Sequence, residues 1–331
     1  MHRTLSRYLG PIALGISLLL LLVTVYAFAL QPDRLAAFTV LPIWLWGSMG
    51  LMLSLGTLYF FRARFSLVLS GVWAITLLVG ADEARVLLHF NQSPPLPGRA
   101  EPFEGKPVIR VITQNCATFL FGSPAQDIAA WQPDIVLLQD AYPYQAKQIA
   151  DTLYGDQGDI RCHETNAIVT RYKIEREITT PNRRAQEVTL RLPNGKSIEV
   201  VNVHLATATT DLRLWQKSAW LNHRINRSIR DTELSQTRQI LERSTDFNTP
   251  TLLGGDFNSP ATDVVHRQLT SDFVDAFTAV GTGWGDTFQH RLPILRIDHL
   301  YANRLFTPIR CRAVTTRHSD HRMVVADFLM N

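Results

Sequence analysis

Three uncharged apolar runs near the N-terminus constrain this chain more than any other feature. Residues 9–30 read LGPIALGISLLLLLVTVYAFAL, residues 38–61 read FTVLPIWLWGSMGLMLSLGTLYFF, and residues 65–81 read FSLVLSGVWAITLLVGA. A helix needs about 20 such residues to cross a hydrocarbon core of about 30 Å. All three are therefore expected to span a lipid bilayer, with residues 1–90 as the membrane anchor. Trp44, Trp46, Tyr59 and Trp73 suit the interfacial belt where amphipathic rings settle. Short loops set the orientation. Arg3 and Arg7 precede the first run, and Arg62 and Arg64 separate the second from the third, whereas Asp33 and Arg34 cancel between the first two. Basic residues stay cytoplasmic, so the expectation is a multi-pass protein of the cytoplasmic membrane with everything after residue 81 on the periplasmic, extracytoplasmic side. A rival reading makes the first run a secretory signal, since Arg3 and Arg7 lead a stretch ending Ala27-Phe28-Ala29. It exports the remainder all the same.

Charge divides the chain in the same place. Of 33 basic and 29 acidic residues, residues 1–98 hold 6 and 3, leaving 27 and 26 beyond them, a net of +1. A near-neutral domain lacks the field that draws polyanions to a surface, so nucleic acid is not favoured as a partner. Residues 91–107, NQSPPLPGRAEPFEGKP, are rich in proline and without apolar period, and read as a linker. Cys116, Cys162 and Cys311 have no metal-ligand spacing; an exported domain could pair two of them or keep three thiols.

Residues 108–331 are dominated by short strand-like runs. VIRVITQN (108–115) alternates, and DIVLLQ (134–139) is continuously apolar, as a strand buried on both faces is. Further strands are expected at 166–170, 187–192, 197–205, 249–256, 296–302 and 322–328, with Pro193-Asn194-Gly195 as a hairpin turn. Helices are expected at 124–131, from a cap at Asp211 to about 227, and from a capping box at Ser228 to about 244. The class is α+β, most simply two packed sheets flanked by helices.

The strands share a habit: each runs apolar and then meets carboxylate, amide or imidazole. Asn115, Asp140, His204, Asp256 with Asn258, Asp298 with His299, and Asp320 with His321 all sit at such junctions. Any one of them has a bland origin, because Asp and Asn end strands by forming turns. Six together could line one rim of a two-sheet core, with Gln139 beside Asp140 as a support. Oxygen donors without thiolates suit a hard cation such as Mg²⁺, with Mn²⁺ as the alternative. Asp256 could ionise or orient a water, and His204 and His321 could donate hydrogen bonds to an anionic phosphoryl centre. Asp298 could fix the tautomer of His321 and stabilise its cation. Metal, water, anion donors and a carboxylate–histidine pair describe phosphate-ester hydrolysis.

In order along the chain, TQN, LLQD, NAIVTRY, VNVHL, GGDFNSP, RIDH and HSDHRMVVADF resemble the deoxyribonuclease I-like endonuclease/exonuclease/phosphatase superfamily, in particular its membrane-anchored bacterial branch. The resemblance implies a four-layer α/β sandwich over 108–331. It implies that Asn115 and Asp140 hold the metal, with Asp320 assisting, and that His204 contacts the scissile phosphate. Asp256 would activate the water, Asn258 would bind a phosphate oxygen, and Asp298 would orient His321. Arg171 matches a family position near the substrate. One departure stands out: the family's Glu after LLQ is here Asp140, whose carboxylate is withdrawn by roughly 1.5 Å, about one C–C bond, from a cation that holds ligands at about 2.0–2.1 Å. Ala117 also stands where some members carry a polar group.

The expected function is thus a membrane-anchored, Mg²⁺-dependent phosphoesterase. The alternative is a catalytically weak or inactive envelope protein that binds a phosphorylated ligand. The shared core does not separate DNA, nucleotide, phospholipid and sugar-phosphate substrates, which loops select. Two features bear on substrate. Arg213, Lys217, Arg224 and Arg227 share a helical face with Trp220, opposite Leu214, Leu221, Ile225 and Ile229; this is either a solvated charged face or a surface for anionic headgroups. Trp284, inside the glycine-rich GTGWGDTF, could stack on substrate or plug the domain edge.

Overall fold

The computed structural model describes residues 2–62, 64–86, 106–178, 183–207, 213–245 and 248–331. They fall into two compact units, one of Met1–Leu88 with Asp211–Arg224, the other of His89–Thr210 with Ile225–Asn331. Of the expected linker, residues 91–105 lie outside the described residues.

The first unit contains α1 (His2–Leu30), α2 (Ala36–Thr39), α3 (Ile43–Phe61), α4 (Phe65–Gly80) and α5 (Asp82–Val86). Among the described residues, two stretches are long and apolar enough to cross a membrane, Tyr8–Leu30 and Ile43–Phe61. Of the three expected spans these two meet the length; α4, with 16 residues, reaches only about 24 Å and is a shorter apolar helix. The second run also loses its beginning: Pro42 disfavours helix at the residue before it, so α2 and α3 are separate. Trp73 is not an interfacial anchor. It is fully buried, and its indole Nε1 donates to Ser17 Oγ at 3.0 Å. It lies against Gly50, where an added Cβ would come within 2.0 Å of its ring. Small residues and hydroxyl pairs (Ser54–Ser70 at 2.8 Å, Thr57–Ser66 at 2.5 Å) let α3 and α4 approach closely, as in membrane helix pairs.

The second unit is built on two six-stranded sheets. One has the order β11 (Phe306–Val314), β12 (Met323–Met330), β1 (Val108–Asn115), β2 (Ile135–Gln139), β4 (Asn166–Thr170), β3 (Asp159–His163); the other has β5 (Lys173–Ile178), β6 (Ala185–Arg191), β7 (Ser197–His204), β8 (Thr251–Asp256), β10 (Asp298–Asn303), β9 (Phe273–Asp275). The two share one pattern: a central parallel pair, β1/β2 and β7/β8, with antiparallel strands on either side. The period of two sorts each strand. Ile112, Val136, Leu138, Ala167 and Val325 pack outward with Ile128 of α6 (Ala125–Ala129) and Ala146 and Ile149 of α7 (Pro143–Tyr154). Val201, Val203 and Leu253 pack outward with Leu234 and Leu241 of α8 (Lys217–Thr245). A last short helix, α9 (Ala276–Val280), follows β9. The inner faces meet each other, giving the expected α/β sandwich.

Two expectations change on α8. Residues 217–245 form one helix, so Ser228 caps nothing; Asp211 lies outside the described residues. The charged face is also not uniformly solvated. Arg227 is buried with its Nε 3.1 Å from Asp263 Oδ2, whereas Leu221, Ile225 and Ile229 are exposed. The three cysteines are free thiols, with Cys116 and Cys311 buried and burial pushing both up.

Candidate active site

The parallel pairs decide where polar residues can gather. β1, β2, β7 and β8 all end at one edge of the sandwich, and β10 and β12, antiparallel to their neighbours, begin there. Crevices outside the carboxyl ends of parallel strands are where open sheets bind ligands. Register then sets the pairs: Asn115 opposite Gln139, His204 opposite Asp256, and Asp256 opposite Asp298. All five of these side chains had been singled out from the sequence, Gln139 as a support.

Asp256 is the centre. Its carboxylate is buried and accepts from Asn115 Nδ2 at 3.0 Å, which joins the two sheets. The Asn258 backbone N–H donates to its other oxygen at 2.8 Å. His204 stands beside it with Nε2 3.8 Å from Asp256 Oδ2 and Nδ1 3.6 Å from Asp140 Oδ1. Asp140 follows β2 and has about a third of its side chain exposed. Asn258 directs its amide Nδ2 to Leu205 O at 3.0 Å, tying the ends of β7 and β8 together, in a left-handed conformation at φ 49° that Asn tolerates.

His321 donates from Nδ1 to Asp298 Oδ2 at 2.9 Å, and its Nε2 lies 4.0 Å from Asp256 Oδ2. Burial works against charge on the imidazole. The adjacent Asp298 carboxylate, with Asp256 and Asp320 behind it, outweighs burial and raises His321 to about 10. Burial lifts the Asp298 carboxyl while the charge of His321 pulls it down, so one proton is held along this bond with the imidazole cationic. Ser319 locks the segment: its Oγ donates to Asn115 O at 2.6 Å and accepts from His321 N at 3.0 Å. Asp320 is half-buried beside them.

Of the supports beneath the site, Gln139 was expected from the sequence and Asn202 was missed. Gln139 Nε2 donates to Asn202 Oδ1 at 2.6 Å, and Asn202 Nδ2 donates to Leu138 O and Ala167 O, a buried bridge beneath the site. Asn202 lies two residues before His204, so strand alternation could have found it. Arg171 is a correction. It follows β4 at the opposite edge, where its Nε lies 3.2 Å from Asp134 Oδ1 and its guanidinium over Tyr154. Antiparallel β4 begins at the site and ends away from it. Trp284 is 44% exposed, with its indole N–H given to Pro293 O.

A family model described as the Endonuclease/Exonuclease/phosphatase family matches residues 112–321, which hold every residue of this cluster. The chain belongs to that family. Its members are phosphoesterase and nuclease hydrolases that generally use divalent metal ions. Solved structures share the fold at low identity. An endonuclease/exonuclease/phosphatase from Bacteroides vulgatus has a TM-score of 0.56 at 16% identity, covering 68% of this chain and 100% of that one. The human Nocturnin catalytic domain with bound sulfate has 0.53 at 18%, covering 72% and 100%. A mannosyl-6-phosphatase of Bacteroides thetaiotaomicron has 0.52 at 16%, covering 67% and 100%. None of the curated proteins matches the chain.

The donor set fits the family's cation. Among the described residues, Asp256, Asp298 and His321 offer ligand atoms within 4.8 Å of one another, and Asp298 Oδ1 is buried with no hydrogen-bond partner. Because Asp298 Oδ2 and His321 Nδ1 already bind each other, the oxygens left to a metal are Asp298 Oδ1 and those of Asp256, with Asn115 and Asp140 alongside.

Proposed function

We propose that this chain is a membrane-anchored, Mg²⁺-dependent phosphodiesterase with its site outside the cytoplasmic membrane. The observation that carries the reading is the convergence of Asn115, His204, Asp256 and the Asp298–His321 pair on one edge, in a family of phosphate-ester hydrolases. Asn115, Asp140 and Asp256 would hold a divalent cation, which would supply positive charge to the phosphate. Asp256, fixed at both oxygens by Asn115 and Asn258, orients water and takes its proton as the oxygen attacks phosphorus. His321, held cationic by Asp298, donates from Nε2 to a non-bridging oxygen where charge builds up, and His204 donates from the other side. The P–O bond then breaks, and the leaving oxygen takes a proton from solvent.

The test uses the full chain in detergent with bis(4-nitrophenyl) phosphate. Hydrolysis should require Mg²⁺, vanish with chelator, and fall by about 10²–10⁴-fold in Asp256→Asn and in His321→Gln, with circular dichroism unchanged. Full activity in both variants would overturn the proposal. The alternative, a protein that binds a phosphorylated ligand without hydrolysing it, is favoured only by the short carboxylate at Asp140.

A further inference from the structure

Exposed apolar side chains stand on the segments that adjoin this site. Leu120 is 80% and Phe121 47% exposed, at the tip of the loop that leaves β1 after Asn115. Ala117, Thr118 and Phe119 in that loop are all left-handed, with φ of 45°, 51° and 62°. Each such non-glycine residue costs on the order of 1 kcal/mol and persists only where its surroundings hold it. They do: Asn115 Oδ1 accepts from Ala117 N, Asp140 O from Thr118 N and Cys116 O from Phe119 N, and Gln145 Nε2 donates to Thr118 O. Residues of the site thus maintain a strained turn that lifts an apolar tip into water, where burial would be preferred.

Others follow on two further segments. Tyr142 and Tyr144, 47% and 72% exposed, follow Asp140 with parallel rings 6.2 Å apart. Trp284 is 44% and Leu292 76% exposed, on the segment whose Phe288 ring lies 5.0 Å from His321. Phe121 meets His290 of that segment at 6.4 Å, which joins it to the loop after β1.

We propose that this rim is a membrane-docking surface and that the ester cleaved is a phosphodiester in a lipid headgroup; this deepens the phosphoesterase reading and rests on it. The rim is made of Leu, Phe, Tyr and Trp, the residues that settle at the headgroup–acyl boundary. Bases stack on flat faces, whereas Leu120 and Leu292, the two most exposed members, have none. Residues 99–331 carry a net charge of only +1, too little to gather a polyanion. The same chain carries two helices long and apolar enough to cross a bilayer, so a lipid surface is at hand.

The full chain is reconstituted into bilayers of phosphatidylethanolamine and phosphatidylglycerol, and release of water-soluble headgroup is compared with hydrolysis of bis(4-nitrophenyl) phosphate. Headgroup should be released with Mg²⁺, and Leu120→Ser/Leu292→Ser should lower the lipid rate, relative to the soluble diester, by about tenfold or more. No release, or an unchanged ratio, overturns the docking inference while Mg²⁺-dependent cleavage of the soluble diester leaves the phosphoesterase reading standing. A larger loss on a single-stranded oligonucleotide than on lipid overturns it in favour of base stacking. Soluble-diester cleavage that survives Asp256→Asn overturns the reading beneath it.

Discussion

At Asp140 the backbone as well as the side chain departs from a simple strand end. Its φ is 48°, a left-handed value that Asp and Asn adopt several-fold more readily than most residues, and its carboxylate lies 3.6 Å from His204 Nδ1. A longer acid would recover the roughly 1.5 Å that the missing methylene withdraws. We expect Asp140→Glu to lower the Mg²⁺ concentration for half-maximal hydrolysis by roughly tenfold, in the range that metal-shell changes produce; a metal titration of activity reads it directly. No activity in either form would favour the ligand-binding alternative. Asn115, His204, Asp256, Asp298 and His321 were legible in the sequence because each interrupts an apolar run at a strand end. Asn202 was overlooked although strand alternation two residues before His204 marks it, and Ser319, which acts through Asn115, left no mark in local pattern. Arg171 was misplaced for a related reason: adjacency to a motif says nothing about which end of an antiparallel strand a residue occupies.

The strands that sequence pattern recovered and those it missed divide by position in the sheet. β1, β2, β4, β6, β7, β8, β10 and β12 were all expected; the missed β3, β5, β9 and β11 are the four edge strands. An edge strand is half wetted and carries charge, as in KIEREI of β5, or Pro308 in β11, so the apolar run that betrays a central strand is absent. Helix α8 inverts the usual rule. Arg227, Arg230, Leu234, Thr237 and Leu241 are buried at helical spacing while Ile225 and Ile229 face water, because Asp263 gives Arg227 a buried partner. Removing one member of such a pair leaves an uncompensated charge, so Arg227→Met should cost about 3 kcal/mol in denaturant unfolding. Arg227→Met/Asp263→Asn should recover much of that loss. A second buried acid predicts a pH effect. Glu199 on β7 is raised to about 7, chiefly by burial, with Glu187 adding to it and Thr189 and Arg176 opposing. The folded state therefore holds a proton that the unfolded chain releases near pH 4.3, and this site loses stability as pH rises from there to about 7. Glu199→Gln should unfold later than wild type at pH 8, by about 1–2 kcal/mol, and together with it at pH 4. Thermal melts at the two pH values check the sign.

For the whole molecule, parity of crossings fixes the compartment. With two spans, α1 and α3, the sandwich would share a side with Arg3 and Arg7; with three it lies opposite. Helix α4 reaches only about 24 Å, yet three features argue that it crosses. It packs on α3 through Ser54–Ser70 and Thr57–Ser66, polar pairs that water would dissolve and lipid would hold. Arg62 and Arg64 sit in the tight turn between them, where the positive-inside bias applies, and Asp82 and Glu83 follow α4. A short span is accommodated by local thinning at a fraction of a kcal/mol per ångström. The prediction is that alkaline phosphatase, which folds only outside the cytoplasm, is active when fused after residue 331, while green fluorescent protein fused there stays dark. Deleting residues 65–81 changes the parity and should reverse both signals. A fluorescent fusion on the intact chain would place the site inside, where its apolar rim could meet only the inner leaflet, and would require Arg62 and Arg64 to face outward against the charge rule.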